Sequence, residues 1–236
     1  MDTSEKQSSF LEDFIEFMIL FVLLFTTALS LLMLRVESKT EALRFDNEVR
    51  HADRKTLERL TFDGDIDEYT KLYATAKVND IPKRYVDMLD NWDIVVTTKP
   101  ISNVIEENDF NLKETTIAAA NNKFSGLCSY KQKTIYINAE EANIDQAVDH
   151  EIGHAIDKIL DYPSKTKEFI EIYNKEKELV FDDGCDYYKL TNLEYWAECF
   201  ELFLNDGESL RKKGPETYDY MVDVLVKEIV FKNEKE

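Results

Sequence analysis

The sequence predicts an α+β domain, a small antiparallel or mixed sheet followed by C-terminal helices, carried behind one apolar helix near the N-terminus. Three observations lead there. "DIVVTT" (93–98) and "GLCSYKQKTIYIN" (126–138) read as a buried strand and a hairpin, rich in β-branched residues and broken at "KQ". From about residue 141 the apolar positions recur at helical spacing. "FMILFVLLFTTALSLLML", from Phe17 to Leu34, holds eighteen residues without a charge.

The elements follow in chain order. Residues 1–16 form an acidic tail. At ~1.5 Å per residue the apolar run spans roughly 27 Å, close to the hydrocarbon core of a bilayer, so residues 17–35 read as a single transmembrane helix. A secretory signal would need a basic flank, whereas here Asp2, Glu5, Glu12, Asp13 and Glu16 stand against Lys6 alone. Residues 36–79 are charged and free of proline, a helical stalk or the start of the domain, with Leu43, Val49, Leu57 and Leu60 as a sparse apolar stripe broken by "FDGD". Asp80 with Pro82 marks a helix start and opens a globular domain over 80–236. After the hairpin come helices near 141–161, capped by Asn143, 165–180 and 192–205, and "GPETYDYMVDVLVKEIVF" closes the chain as another.

Composition narrows the partners. Net charge is −19, from 48 acidic and 29 basic residues. That excludes nucleic acid, which needs a basic patch. Cys128, Cys185 and Cys199 are odd in number and widely spaced, so they read as buried or free thiols rather than a metal pair or disulfide framework.

The chemistry is concentrated in "VDHEIGHAID" (148–157), which holds two of the three histidines. His150 and His154 are i and i+4, so both rings leave one face of a helix about a turn apart. Two ring nitrogens so placed can reach one Zn2+ at ~2.0–2.1 Å. Glu151 stands beside the pair, where it can take a proton from water without ligating the metal. A solvated face on a charged helix is the plainer reading of such a motif. Here Ile152, Gly153, Ala155 and Ile156 are uncharged in a very charged chain, which suits burial. A glycine in mid-helix costs about 1 kcal/mol against alanine, so Gly153 has a packing reason.

A catalytic zinc needs a third protein ligand. His51 lies in the stalk and position 160 is Leu160, so the third ligand should be a carboxylate. "TNLEYWAECFELF" (191–203) is apolar except for Glu194, Glu198 and Glu201. Glu194 and Glu198, one turn apart, suit a ligand and a group that orients a ligand histidine. The same letters also permit a capping box, Thr191 to Glu194, with the acidic stripe facing solvent.

Taken together, "HEIGHAID", the "GLCSYKQKTIYIN" hairpin and "EYWAECF" make the chain resemble the zinc peptidases of the anthrax lethal factor type, including the Pro-Pro endopeptidases, over roughly residues 80–236. The resemblance implies a zincin-like fold and one Zn2+ per chain, held by His150, His154 and Glu194. It implies Glu151 as general base, Glu198 as support, and Tyr187, seven residues before Glu194, as donor to the oxyanion, with Tyr188 its rival by one register step.

The expectation is a membrane-anchored zinc endopeptidase of the gluzincin type. Its partners would be a protein or peptide substrate and, through the N-terminal helix, the bilayer. The alternative is a catalytically silent binding module of the same fold. An intramembrane protease is excluded, because Asp145, Asp149, Asp157 and Lys158 flank the motif. The hairpin would offer a strand edge to an extended peptide. Topology is pulled two ways. Lys6 precedes the span while Arg35, Lys39, Arg44, Arg50, Arg54 and Lys55 follow, which favours a cytoplasmic domain. The resembling family is mostly secreted, and the expectation leans to the exterior.

Overall fold

The computed structural model describes residues 58–108, 115–120, 123–181 and 191–227. The expected span at 17–35 lies outside the described residues, and among those described no helix is long and apolar enough to cross a membrane.

The described elements are β1 (Leu60–Asp63), α1 (Glu68–Asp80), α2 (Lys83–Met88), β2 (Asp93–Thr97), α3 (Ile101–Glu107), β3 (Thr115–Ala120), β4 (Lys123–Ser129), β5 (Thr134–Asn138), α4 (Glu141–Ile159), α5 (Lys167–Val180), α6 (Asn192–Asn205), α7 (Gly207–Lys213) and α8 (Pro215–Val222). A short 3-10 turn, Pro163–Lys165, precedes α5, and a π-helical turn, Asp223–Lys227, follows α8. The expected α+β class and mixed sheet are observed.

The sheet has the order β1-β2-β5-β4-β3. β1, β2 and β5 run parallel, while β4 pairs antiparallel with both β5 and β3. The hairpin is therefore interior. β3 covers β4, which corrects the expectation that the hairpin strand is an open edge.

The stalk also reads differently in three dimensions. Leu60–Asp63 is a strand, with Leu60 opposite Ile94. Gly64 ends it at φ +100°, where a Cβ would strike the Thr98 hydroxyl. Glu68–Asp80 is the first helix, started by the Asp67 side chain accepting from the Thr70 amide. Its Ala74 and Val78 are buried, and Lys77 pairs with Asp145 of α4 at 3.2 Å. Among the described residues, the stretch Leu60–Asp80 is thus already part of the globular fold, the second of the two readings offered for 36–79.

Strand alternation gives the sheet two faces. Leu127 packs with Ile101 and Val104 of α3 on one. The register places Gly126, Cys128, Ile135, Ile137, Ile94 and Val96 on the other, beneath α4. α4 is buried continuously from Ala147 to Asp157, as a helix clamped between a sheet and other helices must be. Glu140 occupies its N-cap position, whereas Asn143, expected there, donates to the Asn138 side chain at 2.8 Å.

α4 ends at a buried anchor. The Asp157 carboxylate accepts from the Ser164 amide at 2.9 Å and the Ser164 hydroxyl at 2.7 Å. Burial outweighs those bonds and pushes its pKa up from 3.8 to about 6. Being raised, this group favours folding fully below 3.8 and loses that contribution as pH rises through about 6. Asp157→Asn keeps an acceptor for Ser164 but cannot titrate. Urea unfolding of chelator-treated protein should therefore show a variant that gains relative to wild type between about pH 4 and about pH 7, by up to about 3 kcal/mol. A constant difference over that range would mean that Asp157 titrates alike in the folded and unfolded chains.

Candidate metal centre

Two helices build the site. α4 supplies His150 and His154, and α6 supplies Glu194, Glu198 and Glu201. They meet closely because Gly153 faces Ala197. A Cβ on Gly153 would lie 3.1 Å from the Ala197 Cα and 3.1 Å from the Phe200 Cβ. The Trp196 indole N–H donates to the Gly153 carbonyl at 3.1 Å and ties the crossing. The packing reason expected for Gly153 is this approach.

Thr191 does cap α6, accepting from the Glu194 amide at 3.2 Å. The Glu194 carboxylate does not face solvent. It is 8 % exposed, and its Oε2 lies 3.2 Å from His150 Nε2 and 3.4 Å from His154 Nε2. The two Nε2 atoms are 3.1 Å apart. Adjacent ligands of a tetrahedral zinc at ~2.0–2.1 Å stand about 3.3–3.4 Å from one another, so the three atoms fit one such ion.

The electrostatics agree. Glu198 Oε2 lies 3.2 Å from His150 Nδ1. As acceptor, that carboxylate places the ring proton on Nδ1 and leaves the Nε2 lone pair pointing at His154 and Glu194. Three electron-rich atoms then converge in a buried space, and they repel unless a cation or proton joins them. Burial depresses the His150 pKa, but Glu194 and Glu198 outweigh it and hold the ring well above the ordinary histidine value. Burial, outweighing Glu194, lowers His154. Burial alone would raise Glu194, yet the two rings beside it hold its carboxyl well below the usual carboxylate range.

Glu151 is fully buried and lies against β4. Gly126 makes room for it: a Cβ there would be 2.7 Å from Glu151 Cγ and 2.9 Å from Oε1. Sequence reading assigned Gly126 no role, although a glycine inside a strand signals a close approach. Glu201 was read as part of the stripe only. With His150 and Glu198 it forms a second group of potential ligand atoms, and burial, then Glu198 and Asp149, raise its pKa to about 8. Cys128 and Cys199 are buried free thiols. Tyr187, Tyr188, Cys185 and His51 lie outside the described residues.

Two substitutions probe the geometry. Gly153→Ala gains about 1 kcal/mol of helix propensity but must part α4 from α6, an overpacking cost of about 1–3 kcal/mol. Zinc titration and thermal melting should show weaker binding and a lower Tm. Glu198→Ala, which frees the His150 ring, should weaken zinc about 10- to 100-fold. Wild-type zinc affinity in Gly153→Ala would show that the helix crossing does not set the ligand spacing.

Comparison with known proteins finds similarity to a family model and to solved structures. The family model described as anthrax toxin lethal factor, N- and C-terminal domain, matches residues 49–224. Among solved structures, the Pro-Pro endopeptidase PPEP-2 from Paenibacillus alvei is similar with a TM-score of 0.56 and 22% identity, over 72% of this chain and 99% of that one. At that identity the likeness is one of fold. No curated protein matches the chain.

Proposed function

The chain belongs to the anthrax toxin lethal factor family, and on that premise we propose that it is a zinc-dependent endopeptidase of the gluzincin type. The observation that carries this reading is the convergence of His150 Nε2, His154 Nε2 and Glu194 Oε2 within 3.4 Å of one another, with Glu151 buried next to His150 on the same helix. The structural relative named a Pro-Pro endopeptidase supports a peptide substrate.

His150, His154 and Glu194 would hold the ion. Zinc, when bound, supplies Lewis acidity towards a carbonyl and towards water. Glu198 holds the His150 proton on Nδ1 and so keeps Nε2 available. Glu151 accepts a proton from the attacking water at a carboxylate oxygen and returns it to the departing amine. Tyr187 donates from its hydroxyl to the developing oxyanion, by the family resemblance at seven residues before Glu194.

The anchor and the location rest on the sequence. The uncharged run from Phe17 to Leu34 supports a single-pass helix, and family habit favours a catalytic domain outside the cell.

Peptide-library cleavage by the purified full-length protein, with and without chelator, tests the reading. Elemental analysis should find about one zinc per chain, lost in Glu194→Ala. Glu151→Gln should retain zinc and lose turnover. Near-native turnover in that variant would remove Glu151 from the mechanism. Tyr187→Phe should lower kcat far more than it raises KM, since the hydroxyl acts in the transition state, by about 2.7–4 kcal/mol if it behaves as other such donors do. A crippled Tyr188→Phe with a healthy Tyr187→Phe would move the role to Tyr188.

A further inference from the structure

Lys158 continues the line His150, His154 along α4, one turn beyond the second histidine. Its ammonium lies 4.6 Å from the centre of the Tyr162 ring, and that of Lys165 lies 3.4 Å from the same centre. The two charges are therefore at most about 8 Å apart, the sum of those distances.

Neither ammonium is held in an ion pair among the described residues, although Lys165 stands near enough to the buried Asp157 to act on it, lowering its pKa against the larger effect of burial. Lys71, Lys77, Lys83, Lys99, Lys167 and Lys175 all form ion pairs. Among the described residues Lys158 and Lys165 form none, in a chain with 48 acidic residues. Of the acids in the same turn, Asp161 is exposed and Asp157 is taken up by Ser164.

The arrangement is also held in place. Asp161 and Tyr162 are consecutive non-glycine residues in the left-handed region, at φ 62° and 63°. Such backbone is costly and persists where surrounding contacts enforce it. Here the Tyr162 amide donates to the Asp157 carbonyl at 2.7 Å, and Tyr130 packs edge-on against the Tyr162 ring at 5.9 Å. The Asn192 side chain donates to the Ser164 carbonyl at 2.7 Å, which joins this turn to the first turn of α6, where Glu194 stands.

We propose that Lys158 and Lys165, held on Tyr162, form a subsite that takes a carboxylate side chain of the peptide substrate and gives a preference for an acidic residue near the scissile bond. The proposal rests on the peptidase reading.

The test uses full-length, zinc-loaded protein and C-terminally amidated peptides that differ only by Glu or Gln at each position in turn. Amidation keeps the terminal carboxylate from standing in for the side chain. At one position Glu should raise kcat/KM by about tenfold, mainly through KM, and added salt should shrink the gap. Lys158→Gln and Lys165→Gln should each bring the ratio towards one with zinc content unchanged. No Glu preference at any position, or one that survives in both variants, overturns the subsite. Zinc-loaded protein that cleaves no peptide would instead sink the peptidase reading. The subsite is then decided by fluorescence anisotropy of the same peptides, labelled: tighter binding of a Glu peptide, lost in the lysine variants, supports it, and equal binding overturns it.

Discussion

Where α4 crosses α6, Gly153 faces Ala197, and no larger pair of residues would let the helices approach so far. The consequences reach beyond packing. His150 and His154 belong to one helix and Glu194 to the other, so the spacing of the three atoms is the spacing of the crossing. The Trp196 hydrogen bond to Gly153 adds direction to what small residues permit. A protein interior is packed too densely for such a crossing to drift without disturbing its neighbours, and the aromatic layer of Phe169, Tyr195, Trp196 and Phe200 fills the space behind it.

The second constraint is charge. Asp149, His150, Glu151, His154, Asp157 and Glu194 are all buried, five of them within nine residues of α4. Burying ionisable groups is expensive unless each finds a partner. Asp149 takes a hydrogen bond from Asn205, Asp157 takes two from Ser164, and His150 has Glu198. His150, His154 and Glu194 bring three potential ligand atoms together, an arrangement that a shared proton or a bound cation stabilises. Metal binding to such a site is coupled to folding, because the ligands converge only when both helices are in place.

The sheet contributes by yielding space. Gly126 leaves a gap on β4 that the Glu151 side chain fills, so the strand and the helix together hold that carboxylate. With β3 covering β4, the hairpin serves as a floor rather than as an edge.

Some of this was legible in the sequence for a local reason. Helical periodicity alone puts His150 and His154 on one face. The scarcity of histidine makes a carboxylate the candidate third ligand, and an apolar helix with an acidic stripe points to Glu194 and Glu198 as the carboxylates beside the pair. The resemblance rests on the same short motifs. The rest depended on contacts between residues far apart in the chain. Leu60–Asp63 is a strand because β2 lies beside it, and four residues in a charged stretch carry too little pattern to announce a parallel partner more than thirty positions away. Gly126 matters because Glu151 comes to rest on it, twenty-five residues later. Thr191 and Glu194 were consistent with both a cap and a ligand, since a sequence does not say where a carboxylate points. The tertiary structure decided that the backbone of Glu194 serves the cap and its side chain serves the histidines. Local spacing determines which groups share a helix face, and only the packing of one helix on another determines whether those faces meet.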